Sequence, residues 1–425
     1  MLTAIANAFR VPDLRKKIIF TLVIIVIYRI GCHIPAPGVN AKDIASVVGQ
    51  GAALGMLNLF SGGALERFAI FSLGIMPYIT SSIIMQLLQG VIPALERWQK
   101  EGESGQRRIT QITRYLTLGL ACLESLGLLT MFRSSGVLPF ADVPGAPPLA
   151  VTYTAVVVTL IAGSVLIMWF GELVTQRGIG NGMSLIIFVS IVARFPQAIV
   201  QSTQLGLGGA FTALLVVIVL FIIAAIVTME SAQRRIPVQY AKRVVGRKVY
   251  GGSGTYIPLK INGANVVPII FASAILSFPS QIMQFWSNPP AWASKFASSL
   301  VSGPVYWALE LVLIVFFTYF YTALVFNPID LADNLRKNGG FVPGVRPGAA
   351  TIRYMENVLN RITLPGALFL GTIAVVPSIV FSVTQDPLVQ QFGGTSILIM
   401  VGVALETMTQ IESQLKMRHY DGFFK

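Results

Sequence analysis

The chain has 425 residues, of which 54% are hydrophobic and only 12% charged, about half the charged share of a soluble globular protein. With a mean hydropathy of +0.72 and apolar runs recurring from residue 17 to residue 415, a large soluble enzyme is excluded, and the length accommodates roughly ten membrane spans of about 20 residues. The 31 basic and 18 acidic residues leave a net charge of +13. Cys32 and Cys122 sit in apolar segments and His33 and His419 at opposite ends of the chain, so neither a disulfide framework, a metal site nor a cofactor is expected.

The first apolar run, Lys17 to about Pro35, follows a basic stretch but is span-length and has no small-x-small cleavage site, which predicts an uncleaved first helix. A shorter apolar segment, Leu54 to Phe68, contains Asn58-Leu59-Phe60-Ser61-Gly62-Gly63-Ala64-Leu65. Too short to cross and interrupted by paired glycines, it suits a re-entrant helix that could stopper an opening, or equally an amphipathic surface helix. Further spans start near residues 68, 114, 152 and 183, then near 211, 265, 304, 363 and 394. Gly178-Ile179-Gly180-Asn181-Gly182 precedes the fifth span without a strand or a Walker lysine, so it caps a helix rather than cradling phosphate. Between spans six and seven, Ser231 to Gly263 holds seven basic residues and no acidic one, with Tyr240, Tyr250 and Tyr256. Such a loop suits phosphates of RNA or lipid headgroups, or carboxylates on a protein. After span eight, Pro343-Gly344-Val345-Arg346-Pro347-Gly348 holds Arg346 at a turn tip suited to contact.

Counting loops alternately, 25 of the 31 basic residues fall on one side. The positive-inside rule makes that side, with both termini, cytoplasmic. Five spans precede Gly206 and five follow it, dividing the chain at 1–205 and 206–425. An odd number reverses the second half, so homology between halves would be an inverted repeat. Pro77-Tyr78-Ile79-Thr80-Ser81-Ser82-Ile83 in span two matches Pro268-Ile269-Ile270-Phe271-Ala272-Ser273-Ala274 in span seven at Pro, Ile and Ser. Gly182-Met183-Ser184-Leu185-Ile186-Ile187 likewise matches Gly394-Thr395-Ser396-Ile397-Leu398-Ile399. The repeat relates Ile79 to Ile270 and Ile187 to Ile399, which would meet near the midplane; taken alone, ordinary aliphatic helix packing is the preferred explanation. Arg29 and Glu310 lie near span ends, where snorkelling explains them. Glu124 and Glu406 lie deeper, where interhelix hydrogen bonding is preferred to an ion relay. No nucleophile or aspartyl motif points to an intramembrane enzyme.

Several polar motifs carry a resemblance that covers nearly the whole chain: Lys100-Glu101-Gly102-Glu103-Ser104-Gly105 with Thr113-Arg114-Tyr115, the Arg177 to Gly182 run, Ala241-Lys242-Arg243, Tyr321 to Pro328, and Gly339 to Gly348. In these the sequence resembles the SecY/Sec61α family of protein-conducting channel subunits, specifically its bacterial members. The resemblance implies an all-α polytopic membrane protein of ten helices, with two inverted five-helix halves forming a clamshell around an hourglass pore. It implies no enzymatic activity. Family positions place a pore ring at Ile75, Ile79, Met183, Ile187, Ile270 and Ile399, where apolar side chains could seal around a polypeptide while giving ions no replacement for water. A plug maps to Asn58 through Leu65 within about 54–68. A lateral gate maps to Pro77, Thr80 and Ile83 facing Pro268, Phe271 and Ser273, the prolines freeing the seam by removing helix hydrogen bonds. Within loops 231–263 and 327–362, Lys242, Arg243, Arg247, Lys248 and Arg346 resemble the docking surface for the ribosome and the SecA motor ATPase. Further implied partners are SecE and SecG type small membrane subunits, signal sequences, nascent chains and lipid, in a bacterial plasma membrane. A secondary transporter and an insertase without a through-pore are the competing readings; an apolar ring and basic docking loops favour the channel.

Overall fold

Helices occupy all ten positions at which hydropathy predicts a span. The computed structural model describes residues 9, 11–37, 44, 48, 52–134, 149–204, 209–240, 243–245, 248–250, 255–284, 290–300, 303–384, 389 and 393–421. In chain order the helices are α1 (Pro12–Gly31), α2 (Ala52–Phe60), α3 (Met76–Val91), α4 (Pro93–Lys100), α5 (Glu103–Ser134), α6 (Leu149–Arg177), α7 (Gly182–Val192), α8 (Phe195–Gln204) and α9 (Gly209–Ser231). After the strands described below come α10 (Val267–Gln284), α11 (Ala291–Ser299), α12 (Pro304–Val325), α13 (Pro328–Lys337), α14 (Ala349–Thr384) and α15 (Gly394–Asp421). Among the described residues seven helices are long and apolar enough to cross a bilayer, and α3 with α4, bent by 99° at Ile92, makes an eighth. The 20-residue α1 and the 18-residue α10 fill the other two places.

Three boundaries differ from hydropathy, for physical reasons. Span two was expected from residue 68, but residues 61–75 run as turns and helix starts only at Met76. Gly62, Gly63 and Gly74 take positive φ there, and so does Phe68 at +45°. Apolar composition hides those turns from a hydropathy window. Conversely α5 and α14 begin 11 and 14 residues before their apolar stretches, at Glu103 and Ala349. Helix propensity does not stop at the membrane surface.

The two large basic loops fold together. Strands β1 (Gln233–Tyr240), β2 (Arg243–Val245), β3 (Lys248–Tyr250) and β4 (Thr255–Lys260) precede α10, and β5 (Gly340–Phe341) follows α13. An antiparallel sheet forms in the order β4-β1-β5, with Ile236 opposite Ile257 and Gln239 opposite Phe341. Ile236 and Val238 alternate inward onto Leu259, Leu335, Val342 and Met355, a small core of their own. Pro237 is tolerated because β1 meets β5 only at its last two residues, leaving that edge open. The main apolar cluster joins α1, α2, α3, α6, α7, α9, α10, α12, α14 and α15, and a second joins α5, α6 and the segment around Leu54 to Leu73.

Candidate functional site

The expected ring residues all lie in the opening turns of four helices or immediately before one. Ile75 is the N-cap residue of α3, and Pro77 and Ile79 are its second and fourth residues. In α10 the second and fourth residues are Pro268 and Ile270. Ile187 is the sixth residue of α7, as Ile399 is of α15. The alignment of the halves thus reappears as equal steps from helix starts. Ile75, Met183, Ile187 and Ile399 are buried in one apolar cluster, and Ile79 and Ile270 pack half-buried against it.

Helix starts are awkward in so apolar a place, because the first N–H groups lack intrahelical partners. Proline at the second position of α3 and of α10 removes one such donor from each. Asn181 solves the problem at α7, its Oδ1 accepting from the Met183 and Ser184 amides at 3.1 and 3.4 Å. The prolines therefore do not free the seam as the resemblance implied, since neither removes a bond a helix would have made. The proline inside α10 is Pro279. Met183 is seated by glycine: its sulfur lies where a Cβ on Gly171 of α6 would stand, and Gly182 abuts the Gly171 carbonyl.

Asn58 to Leu65 spans the end of α2 and the turns that follow it. Phe60 and Ala64 join the ring's cluster, while Leu54 and Leu65 join the α5–α6 cluster. Polar bonds pin this segment. Tyr28 Oη lies 2.6 Å from Ser190 Oγ and 3.4 Å from the Ser61 carbonyl, and Arg29 Nη1 donates to the Gly62 carbonyl at 3.1 Å. The Glu66 amide donates to Asn58 Oδ1 at 3.1 Å, Asn58 Nδ2 donates back to Glu66 Oε2 at 3.3 Å, and Arg194 pairs with the same carboxylate at 3.3 Å. Gly62 and Gly74 permit the close approach. Their φ angles are +67° and +58°, and Cβ atoms there would crowd the Ser190 and Ser61 backbones. Sequence reasoning missed Tyr28, Glu66, Ser190 and Arg194, and assigned Arg29 to snorkelling. A charged residue beside a tyrosine one turn from a span's end was the available signal.

Along the seam, Ile83 is buried and Thr80 half-buried on α3, while Phe271 is buried on α10. Phe271 meets Phe317 and Tyr321 of α12 edge-on at 5.4 and 6.4 Å, and Ser273 donates to the Ile270 carbonyl at 3.0 Å. From the other half α5 packs on α10, and Gly90 of α3 approaches Leu324 and Phe320 of α12. Aliphatic and aromatic packing holds these contacts, which can part without breaking an ion pair.

Arg346 is exposed between Gly344 and Gly348, whose φ angles are +80° and +104°. Its carbonyl accepts from Thr351 Oγ1 at 2.9 Å, anchoring the turn to the start of α14. Lys242 and Arg247 lie outside the described residues. Arg243 and Lys248 are placed by their backbones in the β2–β3 hairpin, opposite Tyr250 and Val245. Between β1 and β4, the Arg235 guanidinium stacks 4.9 Å from the Tyr256 ring. Glu310 does not snorkel: it is 2% exposed, and its Oε2 is buried without a hydrogen-bond partner among the described residues. Glu124 Oε2 is buried without a hydrogen-bond partner, and Glu406 is exposed.

The SecY family model matches residues 69–408. The protein translocase subunit SecY of Streptomyces galbus is 51% identical over 440 residues, covering both chains completely. The subunit of the same name from Mycobacterium tuberculosis H37Rv is 46% identical over 445 residues, again over both full lengths. Among solved structures, a protein-conducting channel shares the fold with a TM-score of 0.62 at 16% identity, and canine Sec61 in a ribosome-channel complex from the endoplasmic reticulum with 0.59 at 15%. Each covers 93% of this chain and 91% of the other.

Proposed function

This chain belongs to the SecY family, and from that premise we propose that it is the pore-forming subunit of a bacterial protein translocase, conducting unfolded polypeptides across the plasma membrane. The observation that supports this reading is that six apolar side chains at or near four helix starts belong to, or pack against, one apolar cluster that Phe60 and Ala64 of a polar-stapled segment also join. A solute site would present polar groups to replace lost hydration. A ring of isoleucine and methionine instead conforms to any polypeptide and leaves an ion without compensation.

The halves 1–205 and 206–425 act as the two sides of the clamshell. Residues 58–65 are the plug, closed by Tyr28, Arg29, Ser190 and Arg194, and displaced when a chain enters. Opening between α3 with α5 and α10 with α12 releases transmembrane segments into lipid, parting apolar contacts such as those of Ile83 and Phe271. Both termini and the β4-β1-β5 sheet face the cytoplasm, where Arg346 and the hairpin basic residues dock a ribosome, through phosphate contacts, or a SecA-type motor, through carboxylates. Small SecE and SecG type subunits complete the complex, and the driving energy comes from the partner.

The test is protease protection of a signal-bearing precursor in proteoliposomes holding this chain, its small subunits, the motor ATPase and ATP. Protection requiring both ATP and this chain is expected. Lipid insertion of membrane segments without protection of soluble chains would favour an insertase, and solute uptake without a motor would favour a transporter.

A further inference from the structure

Two short helices follow neighbouring spans and expose opposite kinds of side chain. α13, between α12 and β5, buries Ala332 and Leu335 and exposes Asp330, Asn334, Arg336 and Lys337, with Ile329 its one large apolar residue in the open. α11, between α10 and α12, buries Ala293 and Ala297, with Leu300 buried just past its end, and leaves Trp292 70% and Phe296 58% exposed. A step of four residues puts those two rings on one side of the helix, and Lys295 is exposed on the same side. The charged surface of α13 suits water; adjacent large rings on so short a helix mark a surface that is covered.

The place of α11 in the fold says what covers it. The strands β1 to β4 precede α10 and α13 follows α12, so α11 lies on the opposite face of the membrane from both. Its nine residues rise about 14 Å, under half the ~30 Å of a bilayer's hydrocarbon core, and cannot cross. It packs against α10, and α12 begins at Pro304, soon after α11 ends at Ser299. From that start Val305, Leu309, Val312 and Phe316 are exposed at steps of four, three and four residues, a single apolar stripe turned to lipid. The lipid-facing surface of α12 therefore reaches its first turn. The rings of α11 are exposed immediately beyond it in the chain, at the membrane–water boundary where tryptophan is enriched.

We propose that α11 is an interfacial anchor: Trp292 and Phe296 lie in the headgroup layer, on the membrane face opposite the sheet, and the partner they fit is lipid. The apolar stem of Lys295 lies along the same layer with its ammonium at the polar surface. Through its packing on α10, the anchor holds the end of that span remote from the sheet level with the bilayer surface. It requires only that the chain spans a membrane, and it holds whether or not the channel reading does.

The experiment reads Trp292 in the full complex reconstituted in liposomes. Emission of the unsubstituted chain minus that of Trp292→Phe isolates this one of the five tryptophans, and because the substitution keeps an aromatic ring at an exposed position, the two chains are expected to melt alike. The difference emission is expected to be blue-shifted from that of tryptophan in water, to lose most of its intensity to lipids brominated high on the acyl chain, and to resist iodide. Quenching by iodide and not by brominated lipid would mean that the face meets water or a soluble partner. Quenching by neither would mean that another protein segment covers it, and either result overturns the proposal. A failure of the complex to conduct precursors would sink the channel reading and leave this readout of Trp292 unchanged.

Discussion

The proposed ring positions and the proposed plug, residues 58–65, share one apolar cluster, yet only the second is also stapled by polar bonds. Ring positions are fixed by apolar burial and glycine seats, with proline or asparagine disposing of orphan amides. The 58–65 segment, apolar and buried at Phe60, Ala64 and Leu65, adds hydrogen bonds from Tyr28 and Arg29 of α1 to its backbone carbonyls and, through Glu66, an ion pair with Arg194 just after α7. Polar bonds can be exchanged for water at small net cost, whereas buried aliphatic contacts cannot. On the reading proposed above, the polar staples are the share of the plug's hold that water can replace, a share the ring does not have.

Four substitutions would break or sharpen that contrast. The largest effect is expected from Ile79→Gly with Ile270→Gly, which removes two facing ring side chains; it should cost about 2–5 kcal/mol and open an ion leak in planar-bilayer conductance. An unchanged conductance would remove the ring. Gly171→Leu should drive Met183 off its seat, lowering thermal stability in detergent by about 1–3 kcal/mol; an unshifted melt would show that the glycine contact is dispensable. Glu66→Gln and Arg194→Gln, singly and together, should show a coupling of up to ~1 kcal/mol and raise plug displacement, read by cysteine accessibility at Ser61, while the melt barely moves. Should these variants leak as strongly as the ring double substitution, the division of labour between ring and plug fails. Arg346→Glu should leave stability within about 0.5 kcal/mol but slow motor-driven export, and a normal export rate would take Arg346 out of the docking surface.

Hydropathy and charge sidedness made the ten helix positions legible, because burial in lipid demands apolar length. The internal repeat found Ile79, Ile270, Ile187 and Ile399, since equal steps from a helix start leave equal spacings in sequence. The cytoplasmic sheet was hidden: β1 pairs with β5 across about a hundred residues, and only the alternation of Ile236, Val238 and Tyr240 betrays a strand. The plug's staples were illegible for a related reason. Arg29 and Arg194 sit 165 residues apart and meet only through turns at Gly62, Gly63 and Gly74 that apolar composition disguises. Charge near a span's end was read as snorkelling, a local explanation, and the local explanation failed for both Arg29 and Glu310.

The ring's position at the starts of α3, α7, α10 and α15 has an electrical consequence. Each helix start carries roughly half a positive elementary charge from its aligned peptide dipoles, and the proposed ring residues lie at or within six residues of four such starts. On the channel reading, an incompletely closed ring would therefore be a worse path for protons and potassium than for chloride. A ring widened by glycine should leak with anion selectivity, visible as a reversal potential displaced toward that of chloride in a salt gradient. A membrane that stores energy as a proton gradient could then host a hole wide enough for a polypeptide without being discharged through it.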